Sequence, residues 1–213
     1  PVRTGKSTFI KRFMELLVLP EMEQEHERQR AVDELPQSAA GKTIMTTEPK
    51  FIPKEAANVK LFGENEVKIR LIDCVGYIVK GAEGLYEEQN ERMVMTPWSE
   101  EPMPFAKAAE YGTKKVIHDH STIGIVITTD GSFGDISRQS YKAAEDKTIS
   151  ELKALGKPFI VIVNSANPFG EKAKDVITEI KERTGVTPVA LNCMQLSSED
   201  VKKIMKKILD SFP

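Results

Sequence analysis

The chain has 213 residues, of which 40% are hydrophobic and 29% charged, with a formal net charge of -2. That composition is ordinary for a water-exposed folded protein, and so balanced a charge points neither to nucleic acid nor to an anionic membrane as partner. No apolar run approaches the roughly 20 residues that span a bilayer, and two cysteines, Cys74 and Cys193, are too few for a disulfide framework or a zinc site and fit a reducing cytosol.

In chain order, Phe9, Ile10, Phe13, Leu16 and Leu17 recur at helical spacing and predict a helix over Thr4–Leu19, stopped by Pro20. A charged helix follows over Met22–Leu35, before Pro36. Val59–Phe62 and Val67–Ile72 read as a hairpin around Gly63, Glu64 and Asn65. Residues 77–103, rich in Gly, Glu and Pro, form the long irregular stretch, and a loop of that length is usually functional or mobile. Phe105–His120 is predicted helical, with Ala106, Ala109, Val116 and Ile117 on its apolar side. Thereafter strand and helix alternate: strand Ile123–Ile127, helix Tyr141–Leu155 closed by Gly156, strand Phe159–Val163, helix Glu171–Arg183 closed by Gly185, strand Val189–Leu191, and helix Ser197–Leu209 with Ser197 as N-cap. This order specifies an α/β fold, a mostly parallel sheet with helices on both faces. No internal repeat or low-complexity linker interrupts it.

Gly5-Lys6-Ser7 opens the first helix and matches the end of the phosphate-loop pattern of P-loop NTPases. Counting back, the first glycine of that pattern would stand immediately before Pro1. The strand that should lead into it would also lie upstream, so the chain is expected to be part of a longer protein. The loop Pro1, Val2, Arg3, Thr4, Gly5, Lys6, Ser7 and Thr8 is expected to cradle phosphates with backbone N–H groups at a helix N-terminus. Lys6 would neutralise the terminal phosphates and the Ser7 hydroxyl would be a Mg²⁺ ligand. The tripeptide alone is a weak signal. It is strengthened by Ile69-Arg70-Leu71-Ile72-Asp73-Cys74-Val75-Gly76, an apolar strand ending in Asp-x-x-Gly. There Asp73 could hold the metal through water and Gly76 would let its backbone approach the γ-phosphate. Between the two motifs, Thr43–Pro49 offers Thr46 and Thr47 from the loop that completes the Mg²⁺ shell in switch NTPases.

Guanine-specific members of that class carry Asn-Lys-x-Asp after a strand. Here strand Phe159–Val163 runs into Asn164-Ser165-Ala166-Asn167. The Asn is kept, but Ser165 replaces the Lys and Asn167 the guanine-reading Asp. An amide cannot be a doubly accepting charged partner, which weakens the case for GTP and leaves ATP open.

These residues resemble the stage IV sporulation protein A family, ATPases that build the basement layer of the spore coat. The resemblance is carried by Val2–Lys11, by Asp33–Phe51, by Asp73–Tyr77, and by His120–Gly124 with Val126–Gly131, and it covers nearly the whole chain. It implies that Lys6 is the Walker A lysine, Asp73 the Walker B aspartate, and Thr46 and Thr47 sensor threonines. It further implies ATP and Mg²⁺ as ligands, and hydrolysis that drives assembly of a static polymer of the protein itself. Partners implied are a small membrane-bound spore anchor protein and other coat proteins, with no nucleic acid. The implied location is the mother-cell cytoplasm, at the outer membrane surface of the forespore and in the spore coat. Family proteins are much longer, so 1–213 would be the NTPase domain without the C-terminal parts.

Two other functional classes compete with the assembly ATPase: a GTP-dependent regulatory switch, against which Asn167 speaks, and a scaffold with a vestigial site, against which intact Lys6, Ser7, Thr46, Thr47 and Asp73 speak. His118 and His120 read as a helix end in preference to a metal pair, because no further ligands accompany them. Met93, Val94, Met95 and Trp98 could offer a partner surface, with local packing as the plainer reading. The Lys202-Lys203 and Lys206-Lys207 pairs read as a solvated helix face. Arg3, inside the phosphate loop, is either an internal arginine finger, as the resemblance of Arg3–Ser7 to the loop of the guanylate-binding proteins suggests, or a side chain that points to solvent or pairs with an acidic residue of the long loop, such as Glu87 or Glu88.

Overall fold

A computed structural model describes residues 1–36, 48–61, 65–87 and 90–212. Helix α1 (Lys6–Phe13) continues as one π-helical turn, Met14–Val18, and a 3₁₀ turn, Leu19–Glu21. Pro20 therefore lies inside the final turn, where its missing N–H is not needed. Helix α2 (Glu25–Asp33) is shorter than the pattern predicts and buries only Ala31. Strands β1 (Lys50–Leu61) and β2 (Asn65–Asp73) form an antiparallel ladder from Leu61↔Asn65 to Lys50↔Asp73. The predicted hairpin is thus present, and β1 is longer than expected. Its register slips between Ile52 and Ala57, a stretch that includes Pro53, which has no N–H to donate. Gly63 and Glu64 lie outside the described residues.

The stretch 77–103, read as irregular, carries two short ladders. Strands β3 (Tyr86–Glu87) and β4 (Asn90–Glu91) form one, β5 (Met93–Thr96) and β6 (Ser99–Pro104) the other. Their glutamates and prolines hide the strand signal, and for β5–β6 packing against helix α3 (Phe105–Lys115) supplies what propensity does not. Helix α3 ends in a π-helical turn, Val116–His120.

Strands β7 (Gly124–Thr129), β8 (Phe159–Asn164) and β9 (Val189–Leu191) are parallel, in that order. Helices α4 (Lys142–Ala154), α5 (Glu171–Thr184) and α6 (Ser198–Leu209) join and follow them. Ser197 caps α6 in a reciprocal capping box with Asp200. The period-two rule of a strand is visible in β8. Ile160 and Ile162 enter a core with Phe9, Phe13 and Ile208, while Val161 and Val163 enter a second core with Ile149, Leu152 and Ile180. Helices α1 and α6 thus cover one face of the sheet, and α4 and α5 the other.

The predicted parallel arrangement is present in β7–β9, while among the described residues β2 pairs only with β1 and β7 only with β8. Between them lies an apolar cleft of about 650 Å³, lined by Ile69 and Leu71 of β2, Ile125 and Ile127 of β7, Phe9 and Ile208.

Candidate nucleotide site

The site begins where the chain turns into α1. Gly5 is left-handed, at φ 92°, and a Cβ there would stand 2.5 Å from the Asn164 amide nitrogen. Both the dihedral and the close approach require glycine. The Gly5 carbonyl accepts the first helical bond, from Phe9, at 2.9 Å. The first turn of α1 holds no acidic side chain and its last turn holds Lys11 and Arg12, so the helix end nearest the loop is left attractive to an anion.

Lys6 and Ser7 sit on that first turn. The Lys6 amine donates to the Pro1 carbonyl at 2.8 Å, folding its charge back across the loop. Burial pushes the Lys6 amine below its ordinary pKa, and Asp73 and Cys74 partly oppose this. The Ser7 hydroxyl donates to Asp73 Oδ2 at 3.0 Å, across 66 residues of sequence. Two predicted metal ligands are therefore in contact before any ion is considered. Both are hard oxygen donors of the kind Mg²⁺ takes. Thr4 is buried and its hydroxyl donates to Pro1 at 3.2 Å, closing the loop on itself.

Gly76 lies against the start of the loop: at φ 85° a Cβ would be 3.1 Å from the Pro1 carbonyl carbon. The next residue, Tyr77, accepts the Val2 N–H at 3.2 Å through its carbonyl. Its ring lies under the Lys147 ammonium, 4.4 Å away, and its hydroxyl donates to Glu151 at 2.5 Å. The segment after Asp-x-x-Gly is thereby tied to both the phosphate loop and α4.

Asn164 is placed beside the loop, with its amide used at both ends. Nδ2 donates to the Thr4 carbonyl at 3.1 Å and Oδ1 accepts the Cys193 N–H at 3.0 Å. Arg3 has φ 56°, and its side chain is exposed. Of its two suggested acidic partners, Glu87 is paired with Arg92 at 3.5 Å, and Glu88 lies outside the described residues. Thr46 and Thr47 also lie outside them. Thr8 is half-buried on the first turn of α1.

Sequence reasoning missed Asp130 and its partners. Asp130 is buried and accepts from the Ser132 N–H at 2.9 Å, the Ser132 hydroxyl at 2.5 Å and the Ser165 hydroxyl at 2.6 Å. Asp130-Gly131-Ser132 is an Asx-turn signal that could have marked it. Among the described residues no group of three or more His, Cys, Asp or Glu could hold a metal, and the His120 ring stands edge-on to Phe51 at 5.7 Å. No described helix is long and apolar enough to cross a membrane.

A glycine-capped helix start, with its serine bonded to a strand-end aspartate beside a parallel sheet, makes this an α/β domain with an anion-attracting helix end. Its sequence matches, over residues 1–213, the family model described as stage IV sporulation protein A, ATPase domain. The chain belongs to the stage IV sporulation protein A family. It is 53% identical over 212 residues to stage IV sporulation protein A of Bacillus subtilis (strain 168) and 52% identical over 212 residues to that of Bacillus anthracis. The identity to the protein of Clostridioides difficile (strain 630) is 50% over 213 residues. Each match takes in 100% of the chain and 43% of the relative, so the chain spans less than half the length of these relatives.

Proposed function

We propose that the chain is a Mg²⁺-dependent P-loop ATPase whose turnover drives self-assembly of the spore coat basement layer around the forespore. The observation that carries this reading is the convergence of Lys6, Ser7 and Asp73 at the N-terminus of α1. Ser7 and Asp73 would hold Mg²⁺, with Thr46 and Thr47 supplying further oxygen ligands. The ion, when bound, would neutralise charge on the β- and γ-phosphates. Lys6 would exchange the Pro1 carbonyl for phosphate oxygens, and the backbone of Pro1–Thr8 would bind the rest of the chain of phosphates. Gly76 keeps the end of β2 against the loop, so movement there is felt at Tyr77. Asn167 in place of a carboxylate supports ATP over GTP.

The reading also includes the strand arrangement of the switch NTPases. In that arrangement one more extended strand lies between β2 and β7 and leads into Pro1, and the apolar cleft between those edges supports it. The proposed location, in the mother cell at the forespore surface, and the proposed partners rest on the family. Those partners are further copies of the protein, a small membrane-bound anchor protein and other coat proteins.

The test is phosphate release by the full-length protein with ATP and with GTP, over a range of protein concentrations. Turnover should favour ATP and rise per subunit as concentration rises. Equal rates with the two nucleotides at subsaturating concentration would count against the base assignment. A rate per subunit independent of concentration would count against coupling to assembly.

A further inference from the structure

Of the nine residues of α2 only Ala31 is buried. Among the described residues, the side-chain bond from Gln29 to Asp33 is the helix's own internal tie. A helix polar nearly all round gains little from its own domain and suits a place between two bodies. It forms one wall of a cleft of about 520 Å³, and β1 from Pro53 to Asn58, with Lys60, forms the other. That volume is within the range of binding clefts, about 300–1,000 Å³. The walls are tied where the Glu34 carboxylate accepts the Lys54 N–H at 2.8 Å. They carry six glutamates against three cations, Arg30, Lys54 and Lys60, so the cleft is acidic. Glu23 and Glu27 stand on the helix side, Glu55 and Glu66 on the strand side. None of these four is in an ion pair among the described residues.

The opposite charge is available on the same chain. Lys202, Lys203, Lys206 and Lys207 are exposed and occupy the side of α6 turned away from its buried residues. None of them is in an ion pair among the described residues either. At 1.5 Å per residue, Lys202 and Lys206 stand about 6 Å apart along the helix, as do Lys203 and Lys207. A helix laid in the cleft with this face inward would meet a carboxylate to either side. Each patch against its own like would repel, which disfavours a two-fold contact. Cleft against lysine face is a heterologous contact. It leaves every copy with one cleft and one lysine face for its neighbours, the requirement for a ring or an open filament.

We propose that the acidic cleft between α2 and β1 receives the lysine face of α6 from a second copy of the chain. This rests on the assembly reading and deepens it by naming the two surfaces that meet. The nucleotide site lies outside both, so the contact can be broken without touching Lys6, Ser7 or Asp73.

The experiment uses the full-length protein in three forms: wild type, a cleft variant Glu23→Lys, Glu27→Lys, and a helix variant Lys202→Glu, Lys206→Glu. Sedimentable polymer is measured with Mg-ATP, and phosphate release in protein too dilute to assemble. Each variant alone should yield roughly tenfold less polymer than wild type, or lower still, because like charges now face each other across the contact. Mixed in equal amounts, the two variants should regain polymer, since each reversed surface finds its complement on the other. Phosphate release in dilute protein should match wild type in both. Polymer at the wild-type level from either variant alone would overturn the proposal. So would polymer that stays lost in the mixture, since the damage would then lie outside this pair of surfaces. Wild-type protein that yields no polymer with Mg-ATP would sink the assembly reading itself, and this contact with it.

Discussion

Arg3 holds a backbone conformation that residues other than glycine seldom adopt. Its carbonyl lies 3.4 Å from the buried Tyr141 hydroxyl, a long contact that nonetheless keeps the peptide facing α4, while the guanidinium reaches outward. A fixed backbone with a free, permanently charged fork suits a finger that closes on phosphate when a neighbour arrives. Arg3→Ala should reduce turnover by about 10³ to 10⁵, the range of arginine fingers, with nucleotide affinity little changed. A loss under about tenfold, far below that range, would return Arg3 to a solvent-facing role. Lys6 differs in being half-buried, with its amine folded back onto the Pro1 carbonyl inside the loop. Lys6→Ala removes charged hydrogen bonds worth about 1.5–3 kcal/mol each. Calorimetry should therefore show Mg-ATP affinity weakened roughly tenfold or more, a factor that about 1.4 kcal/mol supplies, and unchanged affinity would defeat the assignment.

At the scale of elements, Glu145 binds the sheet to two helices. It is fully buried in α4, pairs with Arg138 and Arg183, and accepts from Thr128 of β7. Arg138 and Arg183 also meet Glu179 of α5, at 3.0 and 3.4 Å. Burial alone would raise the Glu145 pKa, but the bonds from Arg138, Thr128 and Arg183 prevail and hold it below the ordinary 4.5. A carboxyl depressed in the folded state stabilises fully above its unfolded value and loses that contribution as pH falls through its folded one. Glu145→Gln should therefore unfold at a lower denaturant concentration near neutrality, with a shallower decline in stability below pH 4.5 than the wild type. Glu145→Ala, which strands two arginines, should cost about 3–5 kcal/mol, read from urea denaturation. An acid profile identical to wild type would show that Glu145 carries no such linkage.

For the whole molecule, the β1–β2 ladder, which ends in Asp73, and the β7–β9 sheet meet through side chains and α1, with no backbone bonds between them among the described residues. Ser7 on α1 is the direct polar tie between the helix and the end of β2. A change in what Ser7 and Asp73 hold can thus alter how the two parts sit, which is the kind of motion that could couple hydrolysis to assembly. Thr46 and Thr47 are the sensor threonines that the family resemblance implies. The double change Thr46→Ala, Thr47→Ala in the full-length protein should leave ATP binding near wild type by calorimetry. Phosphate release and sedimentable polymer should both be abolished. Hydrolysis at the wild-type rate would remove the sensor role.

The sequence by itself determined the local elements and singled out the two motifs that meet at Ser7 and Asp73. Helix ends at Gly156 and Gly185, the capping Ser197 and the apolar run Phe159–Val163 each depend on neighbours a few residues away, where run length and turn chemistry act directly. Gly5-Lys6-Ser7 and Asp73-Cys74-Val75-Gly76 were legible for the same reason, since their spacing is itself the signal. Only the tertiary structure decided what Asn164, Ser165 and Glu145 do. Asn164 finds Thr4 across 160 residues and Glu145 finds Arg183 across 38. A buried polar group must find a partner wherever the fold supplies one, and no local pattern encodes which. The same holds for the hairpins of 77–103, whose glutamates and prolines disfavour strands in isolation. The β5–β6 hairpin packs against helix α3, which offers it a surface.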